Sequence, residues 1–248
     1  MNQKIVIIGA TSAMAEHCAR LWVAESPKSM LLLGRDLAKT ERVAQDLRVR
    51  SPQSNITVQT INFVDPALIQ ACVDQVCAAG VPDIVLIAHG TLPDQADCQE
   101  DLALCTSVLQ INGISPVLFA EGFAGHMERA NRGKLAIIGS VAGDRGRKSN
   151  YVYGAAKGLV ARYAQGLQHR LANTNVRVIL IKPGPTDTAM TAHLKAKGLK
   201  MADVSLVAKR ILEAISNALP IVYVPAKWKF IMMAIIHLPK TIFNKIDI

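Results

Sequence analysis

Aromatic side chains are scarce in this chain: they make up 4% of its 248 residues. With no aromatics interleaved among the basic residues and no recognition module, nucleic acid is not an expected partner despite the positive charge. Acidic residues are short as well, 19 Asp and Glu against 28 Lys and Arg, a formal charge of +9. The imbalance gathers toward the C-terminal end, where Lys195, Lys197, Lys200, Lys209, Arg210, Lys227, Lys229, Lys240 and Lys245 are opposed only by Asp203, Glu213 and Asp247. Anionic lipid headgroups or a phosphate-bearing substrate suit that asymmetry better than DNA. The five cysteines, Cys18, Cys72, Cys77, Cys98 and Cys105, form no Cys-x-x-Cys pair and no His/Cys cluster. Neither a redox motif nor a metal site is therefore expected. They read as reduced, buried thiols of a cytoplasmic protein. A signal peptide is not expected, because a strand pattern starts within four residues of Met1.

What is present is a hydrophobic residue at half of all positions. Continuous apolar runs alternate with helical periodicity, the pattern of one α/β domain, residues 1–248, with a parallel sheet covered by helices. Strands are expected at 4–8, 29–33, 56–61, 83–87, 134–138, 176–181 and 221–224. Helices are expected at 37–50, as one or two long helices over 97–130, after Asn150, and over 203–217. Asp65 followed by Pro66 reads as a helix cap with proline in the first turn.

The chemistry gathers between Ser140 and Lys157. A buried strand ends at Gly139, and a helical pattern begins after Asn150. Tyr153 and Lys157 are four apart, so a helix stacks them on one side. Ser140 lies thirteen residues before Tyr153, at the mouth of the strand, where loop closure can bring its hydroxyl to the phenol. An isolated phenol titrates near pH 10, and an ammonium beside it is expected to lower that value. A serine hydroxyl can hold a substrate oxygen against the same proton. These are the parts of a proton relay to a carbonyl oxygen.

Ser140 followed by Tyr153-Gly-Ala-Ala-Lys157 resembles the active-site signature of the short-chain dehydrogenase/reductase family. Further matches follow in order along nearly the whole chain. The resemblance implies a Rossmann-like, doubly wound parallel sheet with helices on both faces, and an NAD(P)-dependent oxidoreductase acting on a carbonyl or secondary alcohol. In that reading Tyr153 protonates the developing alkoxide, and Lys157 lowers the tyrosine pKa and bonds the nicotinamide ribose. Ser140 positions the oxygen. Asn112, in Gln110-Ile-Asn-Gly113, bends its helix and orders a water leading to the lysine; a helix-interior asparagine facing solvent is the alternative.

The same resemblance implies a dinucleotide site. Gly9-Ala-Thr-Ser-Ala-Met-Ala15 takes the place of a turn that the family writes with three glycines. Gly9 matches the first, while Ala13 and Ala15 replace the others. Thr11, Ser12, Ala13 and Met14 would face the pyrophosphate. A plain strand-turn-helix accounts for this stretch equally well. Arg35 stands where NAD-holding members carry an acid and suits a 2′-phosphate. NADP(H) is therefore favoured, with NAD(H) and a solvated loop arginine as alternatives, and Asp36 is expected to cap the next helix. Asp65 would contact the adenine and Val64 would flank it. Gly90 would let the backbone pass a ribose, beside a loop residue, His89. Pro183, Gly184, Thr186 and Thr188 correspond to the loop over the nicotinamide, and residues 186–202 to a substrate lid.

Two further expectations concern partners. Helices over 97–130 and the Tyr153 helix often form a dimer face in this family, and Gly122, Ala124 and Gly125 would permit close approach in a homodimer or homotetramer. The turn after residue 8, the stretch after Ala88 and the tail are also similar to bacterial reductases acting on a keto-sugar carried by a polyprenyl phosphate. That similarity implies a lipid-linked carbonyl or alcohol substrate. The tail, 226–248, is apolar and basic, but its unbroken run, Phe230 to Ile236, is far shorter than the roughly 20 residues that span a bilayer. Three readings are open to it: peripheral contact at the inner face of the membrane, a dimer element or pocket wall, and packing in the core. A non-catalytic nucleotide-sensing or scaffold protein is the rival to the enzyme.

Overall fold

The computed structural model describes residues 2–196 and 198–246; Lys197 and Asp247, two of the charges counted above, lie outside them. Seven strands form one parallel sheet: β1 (Gln3–Ile8), β2 (Lys28–Gly34), β3 (Asn55–Thr60), β4 (Ile84–Ile87), β5 (Lys134–Ile138), β6 (Arg177–Pro183) and β7 (Ile221–Val224). The order across the sheet is β3-β2-β1-β4-β5-β6-β7. Val6 at the centre pairs with Leu31 on one side and Val85 on the other.

The continuous apolar runs follow from burial on both faces. Ile5 and Ile7 enter one core, while Val6 and Ile8 enter the other, because successive side chains of a strand point to opposite sides. The first core lies under α1 (Ala13–Glu25), α2 (Leu37–Arg50) and α9 (Val204–Ser216). The second lies under α3 (Pro66–Ala78), α6 (Ser115–Ala130) and α7 (Tyr151–Arg170). The expected sixth strand runs two residues further than its apolar pattern, because Lys182 and Pro183 pair with Tyr223 and Val224 of β7.

Between α4 (Gln95–Glu100) and α6 lie α5 (Leu102–Leu109) and a π-helical turn, Gln110–Ile114. The helical run Leu102–Ala130 is long and apolar enough, by length and composition, to cross a membrane. Its α6 portion packs on the sheet instead, with Phe119, Phe123 and Met127 fully buried. Of the small residues of α6, Gly122 and Ala124 pack inward while Gly125 stays half-buried. A methyl added to Gly122 would lie 3.3 Å from Val73 of α3, and Ala124 is itself fully buried. All five cysteines are free; four are buried and Cys105 is half-buried. After the short α8 (Ala192–Ala196), the tail forms α10 (Lys227–His237) and α11 (Lys240–Phe243).

Candidate active site

The chain winds outward from β1 toward β3 and from β4 toward β7. The strand ends at β1 and β4 therefore open a crevice, the place where open α/β sheets receive ligands. Gly9 leaves β1 with φ +81, and a methyl there would lie 2.6 Å from the His89 backbone nitrogen. Glycine is required on both counts. A cavity of about 660 Å³ occupies the crevice. Gly9, Thr11, Ser12, Ala13 and Met14 form one wall, Arg35, Asp36 and Lys39 the end beyond β2, and His89 and Gly90 the base. Glu16, Gly34, Phe63, Ile111, Thr188, Ala189 and Met190 complete it.

The alanines of the first turn do not plug this space. Ala13 lies on its wall, while Ala15 is buried in the core under α1. Ser12 caps α1 without a side-chain bond. The first-turn N–H groups thus remain without a side-chain acceptor beside the cavity, an arrangement suited to an anion.

The reactive side chains are brought together by two close approaches. Ser140 starts a short 3-10 turn, Val141–Gly143, and accepts a bond from Ala142 N at 3.1 Å. A methyl on Gly143 would lie 2.6 Å from the Lys157 carbonyl, and one on Gly154 would lie 2.9 Å from Ala142 O. This contact seats the start of α7 on the serine turn and brings the Tyr153 phenol close enough to the Ser140 hydroxyl for the serine to favour its ionised form. Lys157 is 3% exposed, donates to Ile138 O at 3.0 Å, and holds its Nζ 5.8 Å from the Tyr153 ring centroid. Asn112 sits in the π turn, fully buried. It accepts from Thr91 N at 2.9 Å and donates to Val108 O at 3.0 Å. A methyl on Gly90 would lie 2.7 Å from Asn112 Oδ1 and 3.9 Å from Lys157 Nζ. Gly90 therefore joins the cavity to this group.

A family profile described as short chain dehydrogenase matches residues 3–198. The chain belongs to the short-chain dehydrogenase family. A Streptomyces coelicolor protein named as an uncharacterized oxidoreductase is 28% identical over 98% of this chain and 96% of its own length. Among solved structures, a short-chain dehydrogenase from Sphingobium yanoikuyae in complex with NADPH superposes with a TM-score of 0.83. It is 19% identical, covering 98% of this chain and 96% of that one. One from Burkholderia cenocepacia J2315 in complex with NADP also gives 0.83, at 16% identity over 98% and 97% of the two chains.

Within this short-chain dehydrogenase frame the expected lowering of the Tyr153 pKa is corrected, and the cavity wall takes in only some of the expected site residues: Ser140, Tyr153, Lys157 and Asn112 lie behind Gly90 rather than on that wall. Burial pushes the Tyr153 phenol up to about 12, opposed by the nearby Ser140 hydroxyl, and Lys157 does not bring it below the ordinary value. The lysine itself is pushed down to about 8 by burial, because both charged forms are disfavoured away from water. Val64 is exposed and Phe63 takes the place beside the cavity. Asp65 does not line the cavity; its carboxylate caps α3 through Ala67 N and Leu68 N. Pro183 and Gly184 lie outside the cavity too, and Gly184 is covered by Trp228. Thr186 is buried, bonding Gly184 O at 3.0 Å, so of this loop only Thr188 reaches the cavity wall.

His89 is buried between Phe63 and Phe119, with ring centroids 4.7 and 5.8 Å away, and its Nε2 meets Ser115 Oγ at 2.8 Å. Burial, with Lys157 and Arg35 adding to it, pushes its pKa down to about 3. Its ring lies on the cavity wall, where burial favours the neutral form. Its Nδ1 has no partner among the described residues.

Sequence reasoning missed other groups. Lys39, in the first turn of α2 and paired with the capping Asp36 at 3.7 Å, lines the same end of the cavity as Arg35. At the start of α7, Gln95 accepts from Val152 N at 3.0 Å. Gln95 Nε2, Asn150 Oδ1 and Arg147 Nε are buried without partners among the described residues. No local pattern marks them. Nor do three or more His, Cys, Asp or Glu gather to hold a metal among the described residues.

Proposed function

We propose that this protein is a nicotinamide-dependent oxidoreductase that reduces a carbonyl to a secondary alcohol, with NADP(H) preferred. The observation that carries the reading is the close packing of the serine turn on the start of α7, which gathers Ser140, Tyr153 and buried Lys157 next to Gly90. The dinucleotide fits the residues present: an open cavity at the strand switch, first-turn N–H groups without a side-chain cap, and the unpartnered His89 Nδ1. Arg35 and Lys39 supply two cations where a 2′-phosphate would lie. The two solved structures above that hold NADPH and NADP support a nicotinamide cofactor in this fold.

Bound there, a nicotinamide dinucleotide would supply the hydride. Tyr153, raised to about 12, is neutral at physiological pH and gives its phenolic proton to the substrate oxygen. The Ser140 hydroxyl holds that oxygen in reach of the phenol. Lys157, fixed on Ile138 O, stabilises the phenolate left behind. Asn112 holds the Thr91 amide and so sets Gly90 beside the lysine. The buried polar atoms of Gln95 and Asn150 are suited to further substrate oxygens. The segment between Thr186 and Ala202, which bridge to each other, would cover the substrate.

A lipid-linked, anionic carbonyl substrate is the class we favour, a keto-sugar on a polyprenyl phosphate being one instance. The basic C-terminal half and the exposed apolar tail support it. Homodimer or homotetramer assembly would use Leu109, Ile114, Tyr151 and Leu159, apolar side chains exposed along α5, the π turn and α7.

The test is Tyr153→Phe. Turnover of a carbonyl substrate should fall by about 10²–10⁴-fold, while NADPH affinity, read by fluorescence titration, is kept. Unchanged turnover would refute the assignment. A parent protein that binds NADPH but turns over no carbonyl or alcohol would favour a nucleotide sensor. Arg35→Ala and Lys39→Ala should weaken NADPH more than NADH; equal loss for both would refute the NADP preference.

A further inference from the structure

α10 is an unusual element for a water-facing helix. Of its side chains only Met232 is fully buried, with Trp228 and Ile235 half-buried on the same side. Phe230 is 66% and Met233 55% exposed, and Ile231 and Ile236 are exposed beside them. Ile242 and Ile246 continue the apolar surface beyond the helix. Exposed apolar side chains in contiguous array mark a contact surface.

Charge identifies the occupant. Lys227, Lys229, Lys240 and Lys245 flank this surface, and none is in an ion pair among the described residues. From Ala214 to Ile246 there is no acidic residue. The edge of α10 that carries Lys229 and Ile236 faces a separate hollow of about 630 Å³, whose walls hold Arg162 and Arg210. A second copy meeting this face about a two-fold axis would set lysines against lysines. A bilayer containing anionic lipid meets both requirements, with apolar side chains in the acyl boundary and lysines at the headgroups. At 11 residues the helix is about 16 Å long, too short to cross a bilayer.

We infer that α10 and the segment after it dock this protein on the surface of membranes containing anionic lipid. The anchors give docking a consequence. Trp228 lies on Gly184, where a methyl would be 2.0 Å from its Nε1. Arg145 donates to the carbonyls of Ile236 at 3.1 Å and Leu238 at 2.8 Å, and stacks 3.8 Å over the Phe243 ring. The docking helix is thus held at both ends by the loops that carry Ser140 and Pro183–Thr188, which sets those loops beside the lipid surface.

The experiment is flotation of the full chain with two vesicle types, phosphatidylcholine alone and phosphatidylcholine with ~30 mol% phosphatidylglycerol. Binding to the anionic vesicles, weakened by salt and absent on the neutral ones, is expected. Phe230→Ser and Met233→Ser change exposed side chains, so folding and NADPH binding should persist while vesicle affinity falls by about tenfold or more each. Binding that ignores both substitutions would mean that net charge alone attracts the protein and would overturn the inference. So would a parent protein that ignores anionic vesicles, or one that self-associates through α10 and becomes monomeric on Phe230→Ser. Docking does not require turnover, so the result stands apart from the fate of the enzymatic reading.

Discussion

Tyr153 and Lys157 move away from their ordinary titration ranges in opposite directions for one reason: each ionising group is withdrawn from water and resists its charged form. The phenol goes from near 10 to about 12 and the ammonium from 10.5 to about 8. The consequences for stability have opposite signs. Tyr153 keeps its proton longer in the folded state, so its contribution is full below pH 10 and is lost as pH rises toward 12. Lys157 gives up its proton earlier in the folded state. Between pH 8 and 10.5 the unfolded chain holds more protons, so this lysine's destabilising effect is relieved as pH rises. A tenfold change in proton affinity is worth about 1.4 kcal/mol, which is measurable. Lys157→Met should therefore flatten part of the rise in stability between about pH 8 and 10, measured by urea unfolding across that range. The same pH slope in parent and variant would show that the lysine is not depressed.

At the scale of elements, the site depends on how closely α7 can sit against the serine turn, and glycines at 143 and 154 set that distance. Gly154→Ala puts a methyl 2.9 Å from Ala142 O. The expected cost is about 1–3 kcal/mol of overpacking, with lower kcat and unchanged NADPH affinity, because the cavity wall is untouched. Equal losses in both would mean that α7 also shapes the dinucleotide site. Elements such as α2, β7 and the start of α7 were legible because local signals coincide: a cap, a period and a breaker. Tyr153 and Lys157 were legible because helical spacing alone fixes their common face. The bend around Asn112 was expected only from the family resemblance; no local pattern marks the π turn, and the side chain it places accepts from Thr91, 21 residues away in sequence. Phe63 and Val64 could not be told apart either. They are adjacent in a segment without periodicity, and only the packing of Phe63 against His89 chooses between them.

For the whole molecule, the catalytic loop and the sheet edge are tied by one buried polar group that the sequence does not announce. Lys182 of β6 and Tyr223 of β7 are register partners. Both reach Asp144, four residues past Ser140: the ammonium at 2.5 Å and the phenol at 2.8 Å. The Lys182 and Asp144 side chains are 6% and 5% exposed, so solvent screens this pair little. Removing one partner leaves a buried charge, which costs about 3–5 kcal/mol. In a chain of this size each kcal/mol shifts the melting temperature by about 2–4 °C, so Lys182→Met should lower it by roughly 6–20 °C. Replacing both charges, Lys182→Met with Asp144→Leu, should recover much of the loss, because an apolar pair of similar volume carries no desolvation cost. Because Asp144 follows the serine turn, the single variant should also loosen Ser140 and lower kcat at temperatures where the fold persists. A single variant that melts with the parent would mean that the serine loop is held by α7 alone, and the sheet edge would then play no part in setting the site.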